Sequence, residues 1–329
     1  MQKKTSFNTS LVSHNELLRD NLNINNEIYN SLTKYLSTEN LTRIAQPNLI
    51  IGEDGSGKTF LLYKIIRDIN NNFSNKFIPI MIESKSLYST KDIWNKCALH
   101  LNISDKNNNF DEIINWQKEK NKRIILFIDN IQYYFGRTDN VEHYDFRGKI
   151  YKAGAPIVVA TSNNVLPAFT EYNAAFFDGF KISYLKPLNS ETIKNIVGNK
   201  NDITRIEKLM SYLPKTIKSL ITTLEIISRN EDPTNDIQIL LNLYNLYFQS
   251  KYDSFSTPTQ KILTSISHSD NNLILSEIRE KTGLENGKIS PYLKLMINQR
   301  VLGKDAKTER GGFYYITDPL FKLWLKQNC

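Results

Sequence analysis

Apolar residues along this 329-residue chain change their spacing from region to region. From Asn48 to about Leu185, short continuous apolar runs alternate with stretches whose apolar residues recur every three to four positions. Continuous runs suit strands buried on both faces, and the longer spacing suits amphipathic helices. The runs predict strands over residues 49–51, 77–82, 124–128 and 157–160, and residues 181–184 are a further strand candidate. Their alternation with helices predicts an α/β fold, a parallel sheet with helices on both faces. From Lys186 to Ser250 only the helical spacing remains, with Ser190 as a cap, Pro214 opening a helix and another helix over about 235–249. The first 47 residues read as mostly helical.

The last part of the chain has its own pattern. It predicts helices over residues 257–267, 275–282 and 286–300, the first opened by Pro258 and the second closed by Gly283. In the third, Ile289, Tyr292, Leu293, Met296 and Ile297 fall on one stripe, with Lys288, Ser290 and Lys294 mostly off it. Val301-Leu302 and residues 313–316 then read as two short β segments around a basic, glycine-bearing tip with Lys304, Lys307 and Arg310. Three helices and such a hairpin are the pattern of a winged helix, whose last helix enters the major groove of double-stranded DNA. The same fold also mediates protein contacts, so a protein partner or a homo-oligomer is the alternative. The closing segment, residues 317–325, reads as core packing.

Composition narrows the class. A hydrophobic content of 40% and a charged content of 23% are those of a soluble globular protein. No apolar run approaches the roughly 20 residues that cross a bilayer, and the first 20 residues lack the apolar core of a signal peptide. Cys97 and Cys329 form neither a disulfide framework nor a zinc spacing. The expectation is a cytoplasmic protein with no membrane partner. The net charge of +8 points to an anionic partner. Residues 251–329 hold 12 Lys and Arg against 8 Asp and Glu, so half of the excess lies in this last part.

The chemistry begins at Gly52-Glu53-Asp54-Gly55-Ser56-Gly57-Lys58-Thr59, which fits G-x-x-x-x-G-K-[ST] between a predicted strand and a predicted helix. Glycines let backbone N–H groups turn toward phosphate oxygens, and the helix N-terminus adds partial positive charge. Lys58 is then expected to reach the β- and γ-phosphates of ATP, with Thr59 on Mg²⁺. The apolar run ending in Asp129 supplies the acidic partner for the metal, because ligand-binding residues lie at the carboxyl ends of parallel strands. Residues 157–160 are followed by Thr161-Ser162-Asn163-Asn164, read either as a plain turn or as polar groups near the attacking water. Glu83, closing the second strand, is either a substitute base or, as its residues alone favour, a solvated loop carboxylate.

The order of these elements resembles the AAA+ superfamily, and is similar to archaeal-type and STAND-like ATPases and to origin-recognition ATPases. The resemblance makes Gly52 to Thr59 the Walker A motif, Asp129 the Walker B metal ligand and Asn163 the first sensor. It makes residues 186–192 the entry to a helical lid, and Leu213-Pro214-Lys215 the second sensor, with Lys215 where Arg is usual. The implied organisation is a helical arm (1–47), a P-loop ATPase core (48–185), a helical lid (186–250) and a winged helix (251–329). Two departures stand out. Asn130 occupies the place of the family's base, and an amide orients water without taking its proton. No arginine lies between Arg147 and Arg205, where the family's finger is usual. Both imply a slow ATPase, a switch that binds ATP or ADP and not a fast motor. A P-loop phosphotransferase fits the first 130 residues and leaves the rest without a role.

Overall fold

The computed structural model describes residues 26–38, 43–103, 109–197, 202–305 and 312–329. The chain divides into two compact units, one of residues 1–198 with 216–218, the other of 199–215 with 219–329.

The first unit is built on five strands, β1 (Asn48–Ile51), β2 (Phe77–Glu83), β3 (Arg123–Asp129), β4 (Ile157–Ser162) and β5 (Lys181–Tyr184). They lie in the order β2-β3-β4-β1-β5, and every pairing is parallel. These are the five predicted strands, but β2, β3 and β4 run on beyond their apolar runs to Glu83, Asp129 and Ser162. Ladder hydrogen bonds come from the backbone, so pairing continues where the side chains turn polar.

Successive residues of the central strands face opposite layers. Ile124, Leu126 and Ile128 pack in one core with α3 (Thr90–His100), α4 (Asn109–Lys120) and α6 (Asn140–Ile150), through Trp94, Ile113 and Phe146. Ile125 and Phe127 pack in the other, with α1 (Asn26–Thr38) and α2 (Lys58–Asn72), through Leu36, Leu62 and Ile65. Ile124 to Ile128 are fully buried, each worth about 1.5–3 kcal/mol of apolar transfer. Helices on both faces of a parallel sheet are thus observed. Short helices α5 (Gln132–Phe135) and α7 (Pro167–Thr170) follow β3 and β4. At α8 (Ser190–Val197) the capping side chain is Asn189, whose Oδ1 accepts from the Thr192 N–H at 2.7 Å, one residue before the expected Ser190.

Among the described residues, the second unit is helical except for one hairpin. It contains α9 (Ile203–Met210), most of α10 (Ile217–Arg229), α11 (Asp236–Asp253), α12 (Thr257–Ser267), α13 (Leu275–Thr282) and α14 (Asn286–Asn298). An antiparallel hairpin of β6 (Leu302–Asp305) and β7 (Phe313–Ile316) and a last helix, α15 (Pro319–Asn328), complete it. Leu273 adds an antiparallel bridge to Tyr314, tying the α12–α13 connection to the hairpin. The three helices and hairpin follow in the predicted order, and Ile289, Leu293 and Met296 are buried as their stripe predicts. Phe321 and Trp324 are also core residues, and the Trp324 Nε1 donates to Asn245 Oδ1 at 2.8 Å. Two helix ends differ from expectation. α10 begins at Ile217, past Pro214, and α14 stops at Asn298, with Arg300 beyond it in the left-handed region at φ 57°.

Candidate nucleotide site

The loop between β1 and α2 is shaped by its glycines. Gly55 and Gly57 have φ of 79° and 97°, values that side chains rarely adopt. A Cβ on Gly57 would lie 2.3 Å from Ile217 Cδ1, because residues 216–218 pack with this unit. Lys218 N–H donates to the Gly55 carbonyl at 3.1 Å. Glu53 and Asp54 form the exposed outer turn, and Gly52 N–H joins the loop to the Ser162 carbonyl at 3.1 Å. Lys58, 6% exposed, donates to the carbonyls of Gly52 at 2.6 Å and Glu53 at 2.9 Å. Burial pushes its ammonium below the usual lysine range, against the opposing influence of Asp54, Asp129 and Glu53. The buried Ser56 hydroxyl has no partner among the described residues.

The acidic side of the site lies at the carboxyl end of β3. Thr59 Oγ1 donates to Asp129 Oδ2 at 2.7 Å, across 70 residues of sequence. Thr161 Oγ1 donates to the other carboxylate oxygen, so Asp129, 2% exposed, is held from both sides. The same Thr161 hydroxyl accepts from the Asn130 N–H at 2.9 Å, and its carbonyl accepts from Ile131 N–H at 2.8 Å. Asn130 has φ 57°, a left-handed conformation that asparagine tolerates better than most residues. Its carbonyl accepts from Ser84 Oγ, and its Oδ1 faces Gln132 Nε2 at 3.5 Å.

The predicted residues therefore fall into three groups. Lys58, Thr59, Asp129 and Asn130 converge on one edge of the sheet. Asn163 lies exposed just past β4, where Ser162 Oγ donates to the Asn164 carbonyl at 2.7 Å. Lys215 belongs to the second unit, where it is exposed and its Nζ donates to the Met210 carbonyl at 2.8 Å. Sequence reasoning passed over Thr161 and Ser84 as partners of Asp129 and Asn130. The signal for Thr161 was its place at the polar end of a predicted strand, but strand order was needed to put it beside Asp129.

The groups present fit a nucleoside triphosphate with a divalent cation. Glycine N–H groups, the orphaned Ser56 hydroxyl and the Lys58 ammonium suit phosphate oxygens. Thr59 and Asp129 offer hard oxygen donors, the type that Mg²⁺ takes in small number from protein.

Residues 48–153 match the family model described as "ATPase family associated with various cellular activities (AAA)". This segment is an AAA-family ATPase domain. No curated protein matches the chain. Among solved structures, the ORC2 protein of Aeropyrum pernix is similar at a TM-score of 0.60 and 10% identity, covering 99% of this chain and 97% of that one. A Walker-type ATPase of Pyrococcus abyssi gives a TM-score of 0.53 at 16% identity, covering 91% and 95%. The ORC1 protein of Aeropyrum pernix, solved in complex with DNA, gives 0.50 at 12% identity, covering 96% and 92%. At these identities the likeness is one of fold.

On the second unit, Lys288, Ser290 and Lys294 are exposed on α14, away from its buried stripe. Lys288 pairs with Glu285 at 3.2 Å, within the same turn. Lys304 is exposed on β6, its ammonium 5.5 Å from the centre of the Tyr314 ring. Lys307 and Arg310 lie outside the described residues. No helix among the described residues is long and apolar enough to cross a membrane.

Proposed function

We propose that this chain is an ATP-binding AAA+-like ATPase that works as a slow nucleotide switch coupled to DNA. The observation that carries the reading is the clasp of Asp129 by Thr59 from the glycine loop and by Thr161 from β4. In this reading the N–H groups of residues 52–59 and Lys58 bind the phosphates of ATP. Thr59 and Asp129 hold Mg²⁺, which when bound neutralises phosphate charge. Asn130 and Asn163 orient water, and Lys215 responds to the γ-phosphate. Hydrolysis is slow because no arginine between residues 147 and 205 is available to the transition state from the usual place, a contribution of about 10³-fold or more in related chemistry.

Helices α12 to α14 and the hairpin act here as a winged helix. Lys288, Ser290 and Lys294 form its DNA face, with Lys304 on the wing. The basic balance of residues 251–329 and the DNA-bound ORC1 relative support this part of the proposal. The test of the nucleotide site is direct: Lys58→Ala should lose binding of a fluorescent ATP analogue, and Asp129→Asn should lose Mg²⁺-dependent turnover. Undiminished binding and turnover in these variants would refute the assignment.

One observation favours a second reading, a signalling or assembly ATPase of STAND type whose second unit binds protein. Ile239, Leu243, Leu246 and Tyr247 are exposed along one face of α11, and residues 237–250 contain no charged side chain. Two copies of this chain could meet there without like-charge repulsion. Nucleotide-dependent self-association, with no DNA binding at about 50 mM salt where phosphate contacts are strong, would favour this reading.

A further inference from the structure

β2 and β3 pair in parallel with Glu83 opposite Asp129. The β3–β4 register sets Ile128 against Ala160, which places Thr161 opposite Asp129. Glu83, Asp129 and Thr161 thus form one row across the carboxyl edge of three strands. Neighbouring strands lie about 4.8 Å apart, and residues two apart along a strand share a face. The packing shows which face this is. Phe77 and Met81 of β2, Ile125 and Phe127 of β3, and Ile157 and Val159 of β4 all pack in the core beneath α2. The three residues of the row have the same parity, so they stand on the side of the sheet that carries the phosphate loop.

Within the row, Asp129 is engaged by Thr59 and Thr161. Glu83 is different: it is exposed, and its carboxylate has no partner among the described residues. The two strand ends are also tied together, because Ser84 Oγ, next to Glu83, donates to the carbonyl of Asn130, next to Asp129. Asn130 itself carries an amide, already met by Gln132. An amide cannot serve as a general base, whereas a carboxylate, here one strand away, can.

We infer that Glu83 is the general base of this site, a role that rests on the ATPase reading. The water oxygen forms its bond to the γ-phosphorus as the bond from that phosphorus to the β–γ bridging oxygen breaks. The electron pair of the broken bond leaves on ADP. The water proton passes to a Glu83 carboxylate oxygen and from there to solvent, which reaches this exposed side chain. Asn130 orients the water and Asp129 serves the metal, so the three strand-end residues have separate tasks.

The test uses the full chain with Glu83→Gln, an isosteric change at an exposed strand end. Affinity for a fluorescent ATP analogue should stay within about threefold of wild type, while single-turnover hydrolysis falls at least about 100-fold, the lower end for losing a general base. Nucleotide recovered with the desalted variant should remain ATP, where wild type yields ADP. Glu83→Asp, which keeps a carboxylate but withdraws it, should fall between the two. Turnover of Glu83→Gln near the wild-type rate, with Asp129→Asn inactive, would overturn the base assignment and leave the ATPase reading standing. A wild type that binds ATP and never yields ADP, or a Glu83→Gln chain that loses ATP affinity, overturns it too. Failure of the wild type to bind ATP at all would instead remove the ATPase reading beneath it.

Discussion

Thr161 joins two strand ends through a single hydroxyl, donating to Asp129 and accepting from the Asn130 N–H. Replacing it with valine keeps the shape and removes both bonds. The Asn130 N–H is then left without its partner, and one oxygen of Asp129 is free to turn. Thr161→Val should therefore cost about 1–3 kcal/mol in urea unfolding, the range for an unsatisfied buried group. It should also slow ATP hydrolysis by at least about tenfold with ATP affinity largely kept, since an interaction that only positions the metal ligand acts mainly on turnover. Equal stability and rate in the variant would show that the clasp is incidental. At this scale the sequence was informative where chemistry is local. Lys58 and Thr59 stand in one contiguous motif, and Asp129 ends an apolar run. Thr161 and Glu83 were not legible as neighbours of Asp129, because their adjacency depends on which strands pair and in what register.

Elements were legible wherever burial imposed a period. β1, β3 and β4, buried at every position, could be read because parallel strands covered on both faces are continuously apolar. The edge strand β5 is exposed at Lys181 and Tyr184 and carries no such run. The polar strand ends could not be read, since backbone pairing leaves no hydropathy signal, and the site is made from those ends. Helix α14 was legible through Ile289, Leu293 and Met296, whereas its end was set by the left-handed backbone of Arg300. One contact between elements has a consequence for pH. Asp236, at the start of α11 and 2% exposed, receives two hydrogen bonds from the Arg205 guanidinium of α9, one of them at 2.6 Å. The Arg205 bonds hold its carboxyl below the usual range, with burial opposing and Asn230 assisting. A folded-state pKa below the unfolded value, about 3.9, gives stability that is present above that pH and lost as pH falls through the folded pKa. The stability gap between wild type and Asp236→Asn should accordingly be widest near neutrality and shrink below about pH 4. At pH 7, Asp236→Ala should cost about 1–3 kcal/mol, because the half-buried Arg205 guanidinium and the Asn230 amide lose a charged acceptor. Urea titrations over this pH range check both statements.

For the molecule as a whole, the proposal couples two chemistries that lie in separate units. The first holds the glycine loop, Asp129 and Glu83; the second holds Lys215, α14 and the basic hairpin. A switch of this kind requires that ATP and ADP leave the second unit with different affinities for its partner, and coupling between two sites typically amounts to about 5–150-fold. DNA binding through phosphate contacts should weaken steeply with salt, and Lys288→Glu with Lys294→Glu should weaken it at every salt concentration. Persistence of full affinity in that double variant would remove α14 as the recognition face. The most direct test of the central claim is fluorescence anisotropy of a labelled DNA duplex titrated with the full chain, once with saturating ATP and Mg²⁺ and once with ADP. The account predicts affinities that differ by at least about fivefold between the two nucleotides. Equal affinities, or no binding with either nucleotide at about 50 mM salt, would contradict it.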